Sequence, residues 1–141
     1  MAFKICFYEE KQLMLTYLCG VLTLKDVLSF ASDRRRITAG LKDYLELADC
    51  RQKDGVGEMN RSVVHTMATF EQTPLAKERR KGAILAASQE TYDLSVYYVE
   101  CAQLQDKIKV TFSMEDALQW LGFSEEEIPA LIDYIDAAGK D

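Results

Sequence analysis

Residues 13–31, LMLTYLCGVLTLKDVLSFA, change rhythm once, and that change decides the fold. Leu13 to Cys19 is apolar on nearly both faces, as an interior strand is. Gly20 breaks the run. From Thr23 the pattern becomes helical, with Leu24, Val27, Leu28 and Ala31 on one face. Thr23 is placed to accept the orphan amide three residues on, and Asp26 to reach back to it, a capping box with Asp in place of Glu. The basic run Arg34-Arg35-Arg36 closes this helix, where cations suit the negative end of the dipole.

Upstream, Phe3, Ile5 and Phe7 alternate with Lys4, Cys6 and Tyr8, a strand joined to Leu13–Cys19 through the polar Glu9–Gln12 as a hairpin. Downstream, Tyr44–Ala48 reads as a third strand ending near Asp49, with Leu45 and Leu47 on one face. The stretch 51–57, Arg51 to Gly57, is polar and glycine-containing, hence a loop. A helix from about Glu58 to Gln72 carries Met59, Val63, Met67 and Phe70 and stops at Pro74. Gly82–Ala87 is a short apolar run suited to a central buried strand, and Ser88 caps a helix with Leu94, Tyr97, Tyr98, Cys101 and Leu104 as its apolar face. Lys107–Phe112 alternates, and its lysines would blunt an exposed edge. Ser113 starts a short helix ending at Gly122. Ser124–Glu127 looks like the start of a last helix with Ile128, Leu131, Ile132 and Ile135 as its stripe; Pro129 means either that this helix begins nearer Pro129 or that its first turn is irregular. Alternating strands and helices predict one α/β domain over 1–141: a mixed, mostly parallel five-stranded sheet with an N-terminal hairpin, flanking helices and an extra C-terminal helix.

Three pieces of sequence carry a likeness to a known superfamily. They are Gly20-Val21-Leu22-Thr23-Leu24-Lys25-Asp26, the strand end Leu47-Ala48-Asp49-Cys50-Arg51, and the closing strand and helix Val110 to Gly122, VTFSMEDALQWLG. Together they resemble the STAS-like superfamily, the anti-sigma-factor-antagonist domains and sulfate-transporter C-terminal domains. The nearest likeness is to small bacterial stand-alone members of uncharacterised function. The resemblance covers a core over about residues 3–122, and the helical extension 124–138 lies beyond the usual family end. It implies a protein-interaction or small-ligand role. Regulatory members carry a phosphorylated Ser or Thr just after the Asp that ends this strand. Here Cys50-Arg51-Gln52-Lys53 follows, with no hydroxyl, a departure that speaks against the phospho-switch role; Ser62, the nearest downstream serine, falls inside a helix.

Composition narrows function further. A net charge of −6 opposes phosphate polymers, and the two basic runs, Arg34–Arg36 and Lys77–Lys81, lack interleaved aromatics for base stacking. Nucleic acid is not an expected partner. No apolar run approaches the length of a membrane span, and no leader pattern opens the chain, so the expected location is cytoplasmic, with Cys6, Cys19, Cys50 and Cys101 as reduced thiols. His65 is the single histidine and has no partner four residues on, so no metal site or hydrolase triad is expected, nor any cofactor.

Two candidates remain. Strand ends in α/β sheets gather ligands, which singles out Asp49 and Arg51, with Ser88 and Ser113 explained by capping. Gly55 and Gly57 before a helix, near Arg51 and Lys53, form the best small-anion candidate, although without a P-loop pattern. The simpler reading is a salt bridge and a flexible loop. The stripe Ile128, Leu131, Ile132 and Ile135 either packs on its own domain or forms a homodimer contact; the acidic polar face disfavours a membrane surface. The sequence therefore supports a non-enzymatic interaction or small-ligand-binding module. The alternative is an uncharacterised enzyme, or an anion- or lipid-binding protein, using the edge near Asp49 and Arg51.

Overall fold

The structure is a computed structural model that describes residues 2–55, 57, 59–71 and 81–140, the side chains of Phe70 and Glu71 excepted. Gln72, Pro74 and residues 77–80 of the second basic run lie outside the described residues, as does Glu58, the expected start of the second helix.

Five strands form one sheet in the order β1-β2-β3-β4-β5. They are β1 Phe3–Tyr8, β2 Leu13–Gly20, β3 Leu45–Lys53, β4 Lys81–Leu85 and β5 Ile108–Thr111. β1 and β2 pair antiparallel and the remaining pairs are parallel. The expected mixed sheet is thus present, with β2 interior to the hairpin and β5 at an edge. Gly82 to Leu85 lie in β4, between β3 and β5, while Ala86 and Ala87 fall just past its end.

The helices are α1 Leu24–Thr38, α2 Arg61–Glu71, α3 Gln89–Cys101, α4 Met114–Trp120 and α5 Ile128–Ala138. Strands that follow one another across the sheet through right-handed crossovers place their helices on one face. Accordingly α1, α2 and α3 share a face, where Phe3 meets Phe30 of α1 edge-on at 5.6 Å and Ala68, Val99, Ala102 and Ile108 form a buried cluster. α4 and α5 cover the other face. Their Leu118, Leu131 and Ile135 pack on Leu13, Leu15, Tyr17, Leu45, Leu47 and Leu85, the larger core.

Local chemistry sets the helix starts. The capping box at α1 is complete: Asp26 N donates to Thr23 Oγ1 at 3.1 Å and Thr23 N donates to Asp26 Oδ2 at 3.0 Å. Ser88 and Ser113 cap α3 and α4 through the amides of Thr91 and Asp116. α2 begins at Arg61, capped by Asn60, whose side chain accepts from Val63 N at 2.9 Å.

Three expectations need correction. β3 runs on to Lys53, so Arg51, Gln52 and Lys53 are strand and not loop. On α1 only Val27 is buried; Leu24 and Leu28 are exposed, together with Val21. The inward residues of α2 are Val64 and Ala68, with Met59 ahead of the helix and Val63 and Met67 half-buried. Of the two readings of Pro129, the later helix start holds: α5 starts at Ile128, which puts Pro129 in the first turn, where its missing N–H has no helical partner to lose. Ser124–Glu127 is a separate turn, closed by Ser124 N and Oγ donating to Glu127 Oε1, both at 3.1 Å.

α5 is anchored along its length. Lys11 Nζ donates to Glu127 at 2.9 Å, Tyr8 stacks on Tyr134 at 4.0 Å, the Tyr17 hydroxyl donates to the Ile135 carbonyl at 2.7 Å, and Lys4 Nζ donates to the Ala138 carbonyl at 2.7 Å. Ile128, Leu131 and Ile135 are buried in the chain's own core and Ile132 packs against it. Among the described residues no helix is long and apolar enough to cross a membrane.

Candidate functional site

Alternation along β3 sends its side chains to two different surroundings. Leu45, Leu47 and Asp49 face α4 and α5. Arg51 continues that face: its Nε and Nη2 donate to Asp49 at 3.0 and 2.8 Å, and Nη2 donates to Asp136 of α5 at 2.7 Å. The Asp49 hydrogen bonds, with the Asp136 carboxylate, hold the Arg51 guanidinium firmly protonated, outweighing burial, which acts the other way. Asp49, 6% exposed, also accepts the Arg51 amide at 3.0 Å. The two residues singled out at the strand end are therefore brought together, and their charges are satisfied by each other and by α5. A sheet whose strands proceed in one direction also has no reversal point, the place where a strand-end crevice opens.

Gly55 and Gly57 have different surroundings from an anion cradle. The Gly55 carbonyl accepts from Lys53 Nζ at 2.6 Å, and the neighbouring Asp54 amide is committed to the Gly20 carbonyl at 2.8 Å. Gly57 has a φ of +54°, and a Cβ there would sit 2.5 Å from the Leu22 carbonyl oxygen. Its glycine is required by close packing on the β2–α1 connection.

The other face of β3 presents Glu46, Ala48 and Cys50, beside Thr16 and Leu18 of β2 and Gly82 and Ile84 of β4. Ala48 and Gly82 carry too little side chain to fill the space below α1, α2 and α3. A half-open cavity of about 130 Å3 remains there, bordered by side chains such as Phe30, Met59, Met67 and Leu94. An apolar void of about this size accepts a molecule as large as benzene.

Polar groups enter this cavity at three places. In its wall Glu46 accepts from Arg34 Nε at 2.9 Å and from Nη2 at 2.7 Å, a two-pronged pair with side chains 6% and 13% exposed. The Thr16 hydroxyl is fully buried and has no hydrogen-bond partner among the described residues. Leaving such a group unpaired costs about 1–3 kcal/mol. At the strand-end side Lys53 Nζ reaches the Gly55 carbonyl and, at 3.5 Å, the Thr91 hydroxyl. Burial pushes the Lys53 ammonium below the usual lysine range, only partly opposed by Cys50 and Glu90. Burial also pushes the Cys50 thiol up to about 12, so it is a neutral lining group.

Lys53 reaches the cavity because the strand pairing slips. Tyr17 pairs with Asp49 but Cys19 pairs with Gln52, so β3 carries an extra residue there. The bulge reverses the parity of the strand, turning Gln52 toward Cys19, whose thiol donates to it at 3.4 Å, and Lys53 toward the opposite face. Counting by twos from Asp49 would have put Lys53 beside Arg51. Thr16 and Glu46 were legible as polar positions on strands, but not as neighbours of a void.

The remaining candidates are dispersed. His65 and Ser62 are exposed on α2, the four cysteines form no disulfide among the described residues, and among those residues no group of acids, cysteines and histidine could hold a metal.

No family model and no curated protein matches the chain. A solved structure does: the crystal structure of an uncharacterised protein of the DUF3478 family with a SpoIIAA-like fold, from Shewanella loihica PV-4. It is 17% identical, with a TM-score of 0.61, over 85% of this chain and 94% of that one. At that identity the likeness speaks for the fold, and it agrees with the strand order, the hairpin and the helix placement described above. The chain is a single-sheet α/β protein of SpoIIAA-like, that is STAS-like, fold.

Proposed function

We propose that this protein is a non-enzymatic small-ligand-binding module of STAS-like type, and that its ligand occupies the cavity between the sheet and α1–α3. The observation that carries this reading is the conjunction of a half-open, mostly apolar cavity of about 130 Å3 with the buried Thr16 hydroxyl in its lining, which has no partner among the described residues. Buried polar groups are nearly always hydrogen-bonded, and a site for a bound molecule or water is one of the few explanations of an exception. A concave, mostly apolar pocket with a few polar groups is also the usual form of a small-molecule site. The edge at Asp49 and Arg51 offers less to a ligand, since the Arg51 guanidinium already bridges two carboxylates. A binding role fits the chemistry of the nucleophile nearest the cavity, because a thiol raised to about 12 is unreactive at neutral pH.

Thermal unfolding in the presence of straight-chain alcohols and acids of about six to ten carbons tests the reading, because a ligand that binds only the folded state raises Tm with its concentration. The expected result is a saturable rise that disappears in Ala48→Phe, which fills the void from the sheet side. A flat response, or an equal rise in a folded Ala48→Phe protein, would contradict the site.

A further inference from the structure

Given the cavity just proposed as a binding site, its charges point to the kind of ligand. The described lining contains two cations, Arg34 and Lys53, and one carboxylate, Glu46. Both oxygens of Glu46 are held by the Arg34 fork, so this pair offers nothing to a cationic head group. Lys53 is different. Its ammonium is half-buried and touches only neutral oxygens, the Gly55 carbonyl and the Thr91 hydroxyl, with no carboxylate paired to it among the described residues. Thr91 is buried, and Ser95, one helical turn on, also lines the void. Between Lys53 and Thr16 the lining is apolar, and the strand distance from Gly20, the partner of Lys53, back to Thr16 is about 13 Å.

We infer that the cavity takes a medium-chain monocarboxylate, with its carboxylate on Lys53 Nζ and the Thr91 hydroxyl and its hydrocarbon lying along the sheet toward Thr16. Glu90 acts on Lys53 only through space, and the ligand would supply a contacting counter-charge. Charge-assisted hydrogen bonds in a partly buried site are the strong ones, whereas a neutral head group leaves the ammonium unpaired. An ammonium head would meet Lys53 as a like charge. The hydrocarbon accounts for the methionines, whose flexible thioethers adapt to a chain of variable shape. This inference rests on the cavity being a binding site, but its failure is separable from failure of that reading.

Calorimetric titration of the whole protein with octanoate, octan-1-ol and octylammonium separates the two. Octanoate should bind at least about tenfold more tightly than octan-1-ol, and octylammonium should bind weakest. In Lys53→Met, which keeps the length of the side chain and removes its charge, octanoate should fall to the level of octan-1-ol, and Lys53→Arg should restore most of the preference. Circular dichroism of each variant confirms its fold. Equal binding of octanoate and octan-1-ol, or a preference unchanged in Lys53→Met, would overturn the carboxylate assignment and leave the cavity reading standing. Absence of binding by all three probes would overturn both.

Discussion

The guanidinium of Arg34, near the end of α1, grips both carboxylate oxygens of Glu46 on β3, at 2.9 and 2.7 Å. The pair forms one wall of the cavity and ties the first crossover helix to the middle strand. Removing one partner of a buried pair leaves an uncompensated charge, whereas removing both can be nearly neutral. Arg34→Met should lower unfolding stability in urea by about 3 kcal/mol, and Arg34→Met with Glu46→Leu should recover most of that loss. A double variant as unstable as the single one would mean the pair is not a closed unit.

Tyr17 links the larger core to the C-terminal extension through its bond to the Ile135 carbonyl, which also accepts the Gly139 amide at 3.1 Å. Because that carbonyl keeps a second donor, Tyr17→Phe should destabilise by only about 1 kcal/mol. The signature is local. Amide exchange should accelerate at the end of α5 and stay unchanged in β4.

Gly55 and Gly57 both have positive φ, but only Gly57 lies against backbone. Gly57→Ala should therefore lower stability by about 2 kcal/mol or more, through strain and a clash with Leu22, while Gly55→Ala incurs the conformational strain alone, about 1 kcal/mol. Equal losses in urea unfolding would remove the packing role assigned to Gly57.

The Lys11 ammonium and the Ser124 turn hold the Glu127 carboxyl down at about 2, from a usual 4.5. A depressed carboxyl adds stability that is present above its unfolded value and fades as pH falls toward the folded one. The contribution of this staple should disappear between about pH 4.5 and 2. In side-chain carbon NMR, Glu127 should titrate with a midpoint near 2, moving up toward the usual glutamate range in Lys11→Met. An ordinary midpoint in the unsubstituted protein would contradict the geometry of the turn.

Cys50 is buried in the cavity lining with its thiol raised to about 12, while Cys6, Cys19 and Cys101 are half-buried. Iodoacetamide at pH 8 should label Cys50 only after unfolding, as read by peptide mass spectrometry. Labelling of Cys50 in the folded protein at the rate of Cys19 would show that the lining is open to solvent.

The alternation of Phe3 to Tyr8, the apolar run of β2 and the capping box at Thr23 made the strand–helix order legible, because each is a local rule satisfied within a few residues. The same rules failed for Leu24 and Leu28, since helical spacing shows that a stripe exists and not which part of it finds a partner. Asp49 and Arg51 were legible as a pair, and their link to Asp136 was not, because it joins residues far apart in sequence. The cavity was the least legible feature. It arises from two small residues on adjacent strands, Ala48 and Gly82, and from a bulge that turns Lys53 inward, and neither leaves a mark in periodicity.

Methyl NMR during titration with octan-1-ol and with octanoate tests the central claim, that the void beneath α1–α3 is a ligand site. The methyls of Ile84, Met59, Met67 and Leu94 should shift saturably, while those of Leu13, Leu131 and Ile135 on the opposite face stay in place. Shifts that never saturate, or that move both faces alike, would contradict it.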